Sequence, residues 1–152
     1  MDEDYLELKA WLDETRDVPL EAMDAFFDAR IGDYEAHMSP WEKHYAWMVG
    51  LLPEGIETLL DIGCGSGALT IRCAKRFPNA SLVGVDYWGA AWSYAKEQCQ
   101  QNAAAEGVSH RVRFQKGDAA HLAFPDETFE AAVSNFVFHE VRTQPDKREV
   151  VR

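Results

Sequence analysis

The hydrophobic positions in the first third of the chain recur at the spacing of amphipathic helices. Three segments show this spacing, at 4–15, 20–38 and 41–51. Apolar side chains three and four residues apart share one helix face, with the charged residues opposite. Pro53-Glu54-Gly55 then stops the third helix. The pattern therefore predicts a helical amino-terminal portion over residues 1–55.

After residue 55 the pattern changes to short, almost continuous apolar runs that alternate with helical segments. These predict strands at 58–62, 81–86, 112–115 and 131–136, helices at 68–77 and 90–106, and a helix opening within 143–152. Strands separated by helices form parallel sheets through right-handed crossovers, and continuous apolar runs suit a sheet that is covered on both faces. We predict a Rossmann-like α/β fold: a parallel sheet of about four strands with helices on both faces. This portion, 56–152, and the amino-terminal helices form one compact domain.

The charge of the chain excludes several classes of partner. Its 152 residues carry 15 basic and 26 acidic side chains, for a net charge of −11, and residues 1–36 alone hold twelve acids and three bases. Phosphate backbones repel such a chain, so we expect no nucleic-acid partner. The longest uncharged apolar stretches, such as 46–52, are too short to span a bilayer, and the acidic amino terminus is unlike a signal peptide. We expect no membrane association.

The cysteines indicate the compartment. Cys64, Cys73 and Cys99 are odd in number and lack metal-ligand spacing. This favours free thiols in a reducing environment. We therefore expect a cytoplasmic protein without a metal site.

A glycine-rich turn lies between the first predicted strand and the helix that follows it. Its sequence is Gly63-Cys64-Gly65-Ser66-Gly67-Ala68. Glycines at such a turn let a ligand lie against the backbone. The turn also fits the dinucleotide pattern G-x-G-x-x-G/A, which taken alone leaves an NAD-dependent oxidoreductase open.

Three carboxylates follow three neighbouring strands. Asp61, Asp86 and Asp118 end the first, second and third strands, so they should ring one cleft at the carboxyl edge of the sheet. An acid at the end of the second strand accepts hydrogen bonds from a ribose diol in NAD and in adenosyl cofactors alike. Three negative charges around the glycine turn favour a cationic ligand without phosphate over a pyrophosphate.

Four motifs in order resemble those of class I S-adenosylmethionine-dependent methyltransferases of the small-molecule type. They are Leu60-Asp61-Ile62-Gly63-Cys64-Gly65-Ser66-Gly67, Gly84-Val85-Asp86, Lys116-Gly117-Asp118-Ala119 and Phe129-Glu130-Ala131-Ala132-Val133-Ser134-Asn135, and the resemblance covers about 57–142. It implies an enzyme that uses S-adenosylmethionine as its cofactor and transfers a methyl group to a small-molecule acceptor.

The resemblance also implies the roles of individual residues. It places Asp61 near the methionine amino group, and Asn135 near the methionine portion at the substrate mouth. It assigns the ribose hydroxyls to Asp86, and the adenine amino group to Asp118 and the backbone of Ala119. The loop beneath the cofactor is then formed by Gly63, Cys64, Gly65 and Gly67. Cys64 is interpreted as a small loop residue rather than a nucleophile, because no neighbouring base would activate it.

Several further candidates have two interpretations each. The segment 26–38 resembles a helical cap over the cofactor, in which Tyr34 or Arg30 binds the cofactor carboxylate; alternatively both are ordinary residues of an amphipathic helix. Tyr87, or one of the tryptophans after it, stacks on adenine or packs within the protein. His139 is the one candidate for a catalytic base, and its alternative is a helix opening without a catalytic role.

The number of predicted strands raises a rival function. Members of the resembling family complete a sheet of about seven strands, whereas four are predicted here. We therefore expect that the carboxyl-terminal strands are lacking, and a cofactor-binding module or fragment without turnover is the alternative function. The last strand, 131–138, would then be an apolar edge, which predicts self-association or coverage by the amino-terminal helices.

Overall fold

The computed structural model of the chain describes residues 42–88, 92–135, 137, 138, 141 and 143–152, and at 92–94 it describes the backbone alone. The elements are α1 (Glu42–Gly50), β1 (Thr58–Ile62), α2 (Ala68–Arg76), β2 (Ser81–Asp86), α3 (Trp92–Ala105), β3 (Val112–Lys116), β4 (Ala131–Val133) and α4 (Lys147–Val151). The helices predicted at 4–15 and 20–38, and the candidates Arg30, Tyr34 and His139, lie outside the described residues.

The four strands form one parallel sheet in the order β3-β2-β1-β4. In the register, Asp61 of β1 is opposite Gly84 of β2 and Val133 of β4, and Asp86 of β2 is opposite Lys116 of β3. The predicted Rossmann-like α/β fold is confirmed, and its parallel strands bring their carboxyl ends to one edge.

Strand β4 is shorter than the sequence predicts. It ends at Val133 rather than extending to 136, and Ser134 already lies outside the ladder. The Ser134 hydroxyl instead donates a 2.9 Å hydrogen bond to the carbonyl oxygen of Ile62. The apolar run in the sequence does not reveal where β4 ends, because a serine hydroxyl can take the place of a backbone N–H as the hydrogen-bond donor.

The sheet has a helical face and a loop-covered face among the described residues. Alternate strand positions face the helices, where Phe114, Leu59 and Leu82 are at most 1% exposed and pack with residues of α1, α2 and α3. The intervening positions Leu60, Val83 and Val85 pack under Leu122, Phe124 and Phe129, from the segment between β3 and β4. This division turns Asp61 toward α2, because it lies two residues after Leu59.

Glycine is required where α2 begins. Gly67 precedes the helix with a φ of +86° and no side-chain cap, a conformation in which a Cβ atom is strained. At the other end of α2, Lys75 and Arg76 lie in the last turn, where positive charge complements the helix dipole. Gly67 thus marks the start of α2, at the edge of the sheet that carries the carboxylates, and the two basic residues mark its end.

Within the described residues, no helix is long and apolar enough to cross a membrane. The same residues contain no group of three side chains that could hold a metal ion.

Candidate functional site

Asp61 is a buried carboxylate at the end of β1. Its side chain is 1% exposed, and Oδ2 accepts a 2.6 Å hydrogen bond from the Thr70 hydroxyl of α2. Burial raises the pKa of Asp61 to about 7, with a smaller contribution from the charge of Asp86, while the hydrogen bonds from Thr70 act in the opposite direction. A cation placed beside Asp61 would remove this penalty, since it favours the ionised carboxylate.

The glycine-rich loop turns sharply next to Asp61. Gly63, Gly65 and Gly67 have φ values of +75°, +54° and +86°, which glycine adopts without steric cost. The backbone N–H groups of Gly63 and Cys64 both donate to the carbonyl oxygen of Val85, at 2.7 and 3.0 Å. The loop is thereby fixed against β2, the strand that carries Asp86.

Two of these glycines are also required by close packing. A Cβ atom at Gly63 would overlap the side chain of Val137, and one at Gly67 would lie 2.9 Å from Cζ of Phe114. Both approaches are closer than a van der Waals contact. A side chain at either position would therefore require its neighbour to move, even before a ligand is considered.

Asp86 joins β2 to the glycine loop. Its Oδ2 accepts a 2.8 Å hydrogen bond from the backbone N–H of Gly65, and its Oδ1 accepts one of 3.1 Å from that of Trp88. Burial raises the pKa of Asp86, although the backbone hydrogen bonds oppose this effect. A carboxylate has about four lone-pair sites, so Asp86 keeps the capacity to accept hydrogen bonds from two ribose hydroxyls.

Three side chains, two of them without a role predicted from the sequence, donate hydrogen bonds to the glycine loop. The Trp88 indole N–H and the Cys99 thiol both donate to the carbonyl oxygen of Gly65, at 2.9 and 3.0 Å. Asn102 donates through Nδ2 to the carbonyl oxygen of Ser66, at 3.1 Å. Trp88 was expected either to stack on adenine or to pack within the protein, and the structure buries it with a φ of +48°.

Cys64 turns its side chain into the core rather than toward the cleft. It is 6% exposed, and its Sγ would lie 3.0 Å from a Cβ atom at Gly84. Burial raises the pKa of the Cys64 thiol well above its ordinary value. Because the thiolate is the nucleophilic form, this agrees with its interpretation as a small loop residue, and a contact with the cofactor would use its backbone.

Asp118 follows β3 and is more accessible than the other two carboxylates, with 26% of its side chain exposed. Its Oδ1 accepts hydrogen bonds from the backbone N–H of Ala120 at 2.9 Å and from the Thr143 hydroxyl at 3.0 Å. Although partial burial alone would raise the pKa of Asp118, these bonds and the nearby His121 outweigh it, and the pKa is lowered. Thr143 thus connects the segment after β4 to this end of the cleft.

Three further predicted residues border the site. Asn135 follows β4 by two residues, and its Oδ1 lies 3.0 Å from Nε2 of His44 in α1. Tyr87 is 44% exposed, and its ring lies 4.9 Å from the Lys116 amino group. Ala119 lies between Asp118 and Ala120 and is partly buried.

The structure brings most of the predicted residues to the carboxyl edge of the sheet. Asp61, the glycine loop and Asp86 form its centre, with Asp118 and Ala119 beyond β3 and Asn135 beyond β4. Their contacts with a ligand stay predictions. The residues that the sequence did not assign to the site support this edge from the helices and from the segment after β4: Thr70, Cys99, Asn102, Thr143 and His44.

Comparison with known proteins identifies the family that the chain resembles. The model of the methyltransferase domain family matches residues 59–152. The tRNA1(Val) (adenine(37)-N6)-methyltransferase of Vibrio cholerae is 37% identical over 90 residues, which cover 59% of this chain and 34% of that protein. The release factor glutamine methyltransferase of Chlorobaculum tepidum is 38% identical over 81 residues, which cover 51% of this chain and 26% of that protein.

A solved structure shows the same relationship. Geranyl diphosphate methyltransferase in complex with S-adenosylmethionine is 26% identical, with a TM-score of 0.55, over 71% of this chain and 42% of that one. This chain spans about a third of the length of the first of these curated relatives and about a quarter of the second.

The family match is to methyltransferases and not to NAD-dependent oxidoreductases, the alternative that the glycine motif left open. The chain belongs to the methyltransferase domain family, as a class I S-adenosylmethionine-dependent member.

Proposed function

We propose that this chain binds S-adenosylmethionine at the carboxyl edge of its sheet and transfers the methyl group to a small-molecule acceptor. The observation that carries the proposal is a pair of carboxylates at this edge, Asp61, which is buried, and Asp86, which is partly buried. Burial raises the pKa of both, and the charge of Asp86 raises that of Asp61 further. Among the described residues, neither forms an ion pair with a lysine or arginine. A cationic ligand supplies the missing positive charge.

The residues of the edge suit the parts of this cofactor in turn. Asp61 suits the amino group, Asp86 accepts hydrogen bonds from the ribose hydroxyls, and Asp118 presents an accessible acceptor to the adenine amino group. The exposed ring of Tyr87 offers a surface for stacking. These assignments rest on the family resemblance together with the charge of the three carboxylates and the exposure of Asp118 and Tyr87.

The cofactor supplies an electrophilic methyl group on a sulfonium ion. The task of the protein is then to hold the acceptor in line with this group and to keep water out, and positioning of this kind is worth several powers of ten in rate. Little acid–base chemistry is required. His139 stays our candidate for a base that removes the acceptor's proton.

The acceptor class is argued from charge. The relatives are named for a tRNA and a release factor as well as for a small molecule. A net charge of −11 opposes a phosphate backbone at every distance within the screening length. A small molecule that is neutral or cationic is not repelled by this charge. We also propose a cytoplasmic location, since the three cysteines are buried free thiols.

Equilibrium titration with S-adenosylmethionine and with its demethylated product, S-adenosylhomocysteine, tests the binding half of this proposal. Asp86→Asn should weaken both affinities about 10- to 100-fold, because charge-assisted hydrogen bonds to the ribose are lost. Asp126→Asn is the matched control, since Asp126 is exposed and lies on the segment between β3 and β4. If the folded protein binds neither compound, the proposal is wrong.

The transfer half needs a radiolabelled methyl group and three classes of acceptor: small hydroxyl and amine nucleophiles, bulk tRNA, and a release-factor protein. Label transfer to a small nucleophile supports the proposal. Transfer only to tRNA or protein would overturn the acceptor class. Cofactor binding without any transfer would instead favour the binding module without turnover.

A further inference from the structure

His44 connects the helix before the sheet to the loop after its last described strand. Its Nε2 lies 3.0 Å from Oδ1 of Asn135, and the contact is partly buried. The two residues are 91 positions apart in sequence. Their contact therefore forms only when α1 is seated at the carboxyl edge of the sheet.

Asn135 lies close to the start of the glycine loop. The preceding residue, Ser134, donates from its hydroxyl to the carbonyl oxygen of Ile62 at 2.9 Å. Asp61 is paired in register with Val133 of β4. Asn135 is therefore beside the chain segment that carries Asp61 into the loop, at the end of the cleft assigned above to the amino acid portion of the cofactor.

A carboxamide has two ends of almost equal size and opposite polarity, and rotation by 180° exchanges them. A proton on Nε2 of His44 requires Oδ1 of Asn135 to face α1. The NH₂ group of Asn135 then points away from His44. The ring of His44 is itself held among aromatic neighbours, with ring centroids 5.7 Å from Trp47 and 6.4 Å from Tyr45.

We propose that His44 is a positioning residue that fixes the Asn135 carboxamide with its NH₂ group toward the carboxylate of the cofactor's amino acid portion. This inference rests on the proposed function. An NH₂ donor complements a carboxylate, whereas the carbonyl end would repel it. His44 thereby governs the recognition of the amino acid end without touching the adenosine end.

Two ligands separate these ends. S-adenosylhomocysteine carries the amino acid portion, and 5′-methylthioadenosine carries the same nucleoside without it. For His44→Phe, which keeps a ring and removes the donor, we expect affinity for S-adenosylhomocysteine to fall about 5- to 20-fold, the value of one or two hydrogen bonds. Affinity for 5′-methylthioadenosine should be unchanged. His44→Gln, which restores an N–H donor, should recover most of the loss.

His110→Phe is the matched control, because His110 is exposed before β3, at the opposite edge of the sheet. Equal loss for both ligands in His44→Phe would assign His44 a merely structural role, and no loss for either would also overturn the inference. Failure of the unaltered protein to bind either nucleoside would refute the proposed function instead.

A second variant keeps the test decisive if His44→Phe does not fold. Asn135→Ala should show the same selective loss for S-adenosylhomocysteine. Combining it with His44→Leu, a second variant that removes the ring nitrogen, should cause no further loss, since both changes act on one contact. A loss in the double variant equal to the product of the two single losses would contradict the inference.

Discussion

The hydroxyl of Thr70 donates a 2.6 Å hydrogen bond to the carboxylate of Asp61, and both side chains are at most 1% exposed. This bond stabilises the ionised carboxylate, but burial and the charge of Asp86 outweigh it, which raises the pKa of Asp61 to about 7. Asp61 therefore changes its charge near neutral pH, at the position where we propose that a cation binds.

Asp61 should make the ligand-free protein less stable as the pH rises. The unfolded chain loses this proton near the ordinary value of 3.8, whereas the folded chain keeps it until about 7. Between these values the folded state binds more protons, so the free energy of unfolding falls with pH. The full cost is on the order of 4 kcal/mol. Denaturant unfolding between pH 4 and 8 should show this slope in the unaltered protein.

Asp61→Asn should flatten that slope, because the variant has no proton to lose. Asp126→Asn should leave it unchanged, since Asp126 is exposed. Parallel stability curves for Asp61→Asn and the unaltered protein across this range would contradict the assignment.

Cofactor binding should release a proton from Asp61 near pH 6.5. A cation beside the carboxylate lowers its pKa, so the group ionises on binding. Calorimetric titration in two buffers of different ionisation enthalpy measures the released protons. With a pKa of about 7, we expect about three-quarters of a proton at pH 6.5, and almost none above pH 8.5. A value that does not depend on pH would exclude Asp61 as its source.

Gly67→Ala should destabilise the protein more than Gly55→Ala. Both positions have a strongly positive φ, +86° and +77°, so both variants suffer a backbone cost of about 1–2 kcal/mol. A Cβ atom at Gly67 also meets the Phe114 ring at 2.9 Å, while nothing lies within 4 Å at Gly55. Overpacking adds about 1–3 kcal/mol. Thermal or denaturant unfolding compares them, and equal losses would show that the ring yields freely.

Trp88→Phe should loosen the glycine loop. It removes the indole N–H that donates to Gly65 at 2.9 Å, and it leaves the Cys99 thiol as the remaining side-chain donor to that carbonyl group. We expect a loss of about 1–2 kcal/mol in stability, and weaker binding of S-adenosylhomocysteine. Trp47→Phe is the control, because Trp47 is 60% exposed. Unchanged affinity in Trp88→Phe would show that the loop keeps its shape without this bond.

The edge of β4 should promote self-association. Among the described residues, β4 pairs with β1 alone. Ala132→Lys places a charge on this strand at an exposed position, which discourages edge pairing. Sedimentation should show a smaller associated fraction for this variant, and no change for Ala104→Lys on the exposed side of α3. Identical sedimentation of all three proteins would refute association through β4.

The sequence predicted the sheet well because its evidence is local and repeated. Three strands are largely apolar runs and β3 alternates apolar with polar residues, and each of Asp61, Asp86 and Asp118 stands at or just beyond the end of its strand. Parallel topology then brings the carboxylates to one edge without further information. The extent of β4 was wrong because the Ser134 hydroxyl replaces a ladder contact, and hydrophobicity does not report that exchange.

The supporting side chains were not predictable from the same signals. Cys99 and Asn102 look like interior positions of an ordinary helix, yet both donate to carbonyl groups of the glycine loop. Their role depends on how α3 lies against the loop, which no local pattern encodes. Thr70 offered one usable signal: a hydroxyl in the first turn of the helix that follows the loop, facing a buried acid.

Gly67 and Gly84 both lie against the ring of Phe114, but they are required for different reasons. That ring would lie 2.8 Å from a Cβ atom at Gly84 and 2.9 Å from one at Gly67. A smaller residue at position 114 would remove the ring contacts of an alanine at position 84, where the backbone is ordinary extended strand, and would leave Sγ of Cys64 at 3.0 Å from its Cβ atom. Position 67 would still be restricted by its φ of +86°. Gly84 is therefore required by side-chain packing alone, whereas Gly67 is required by the backbone conformation as well.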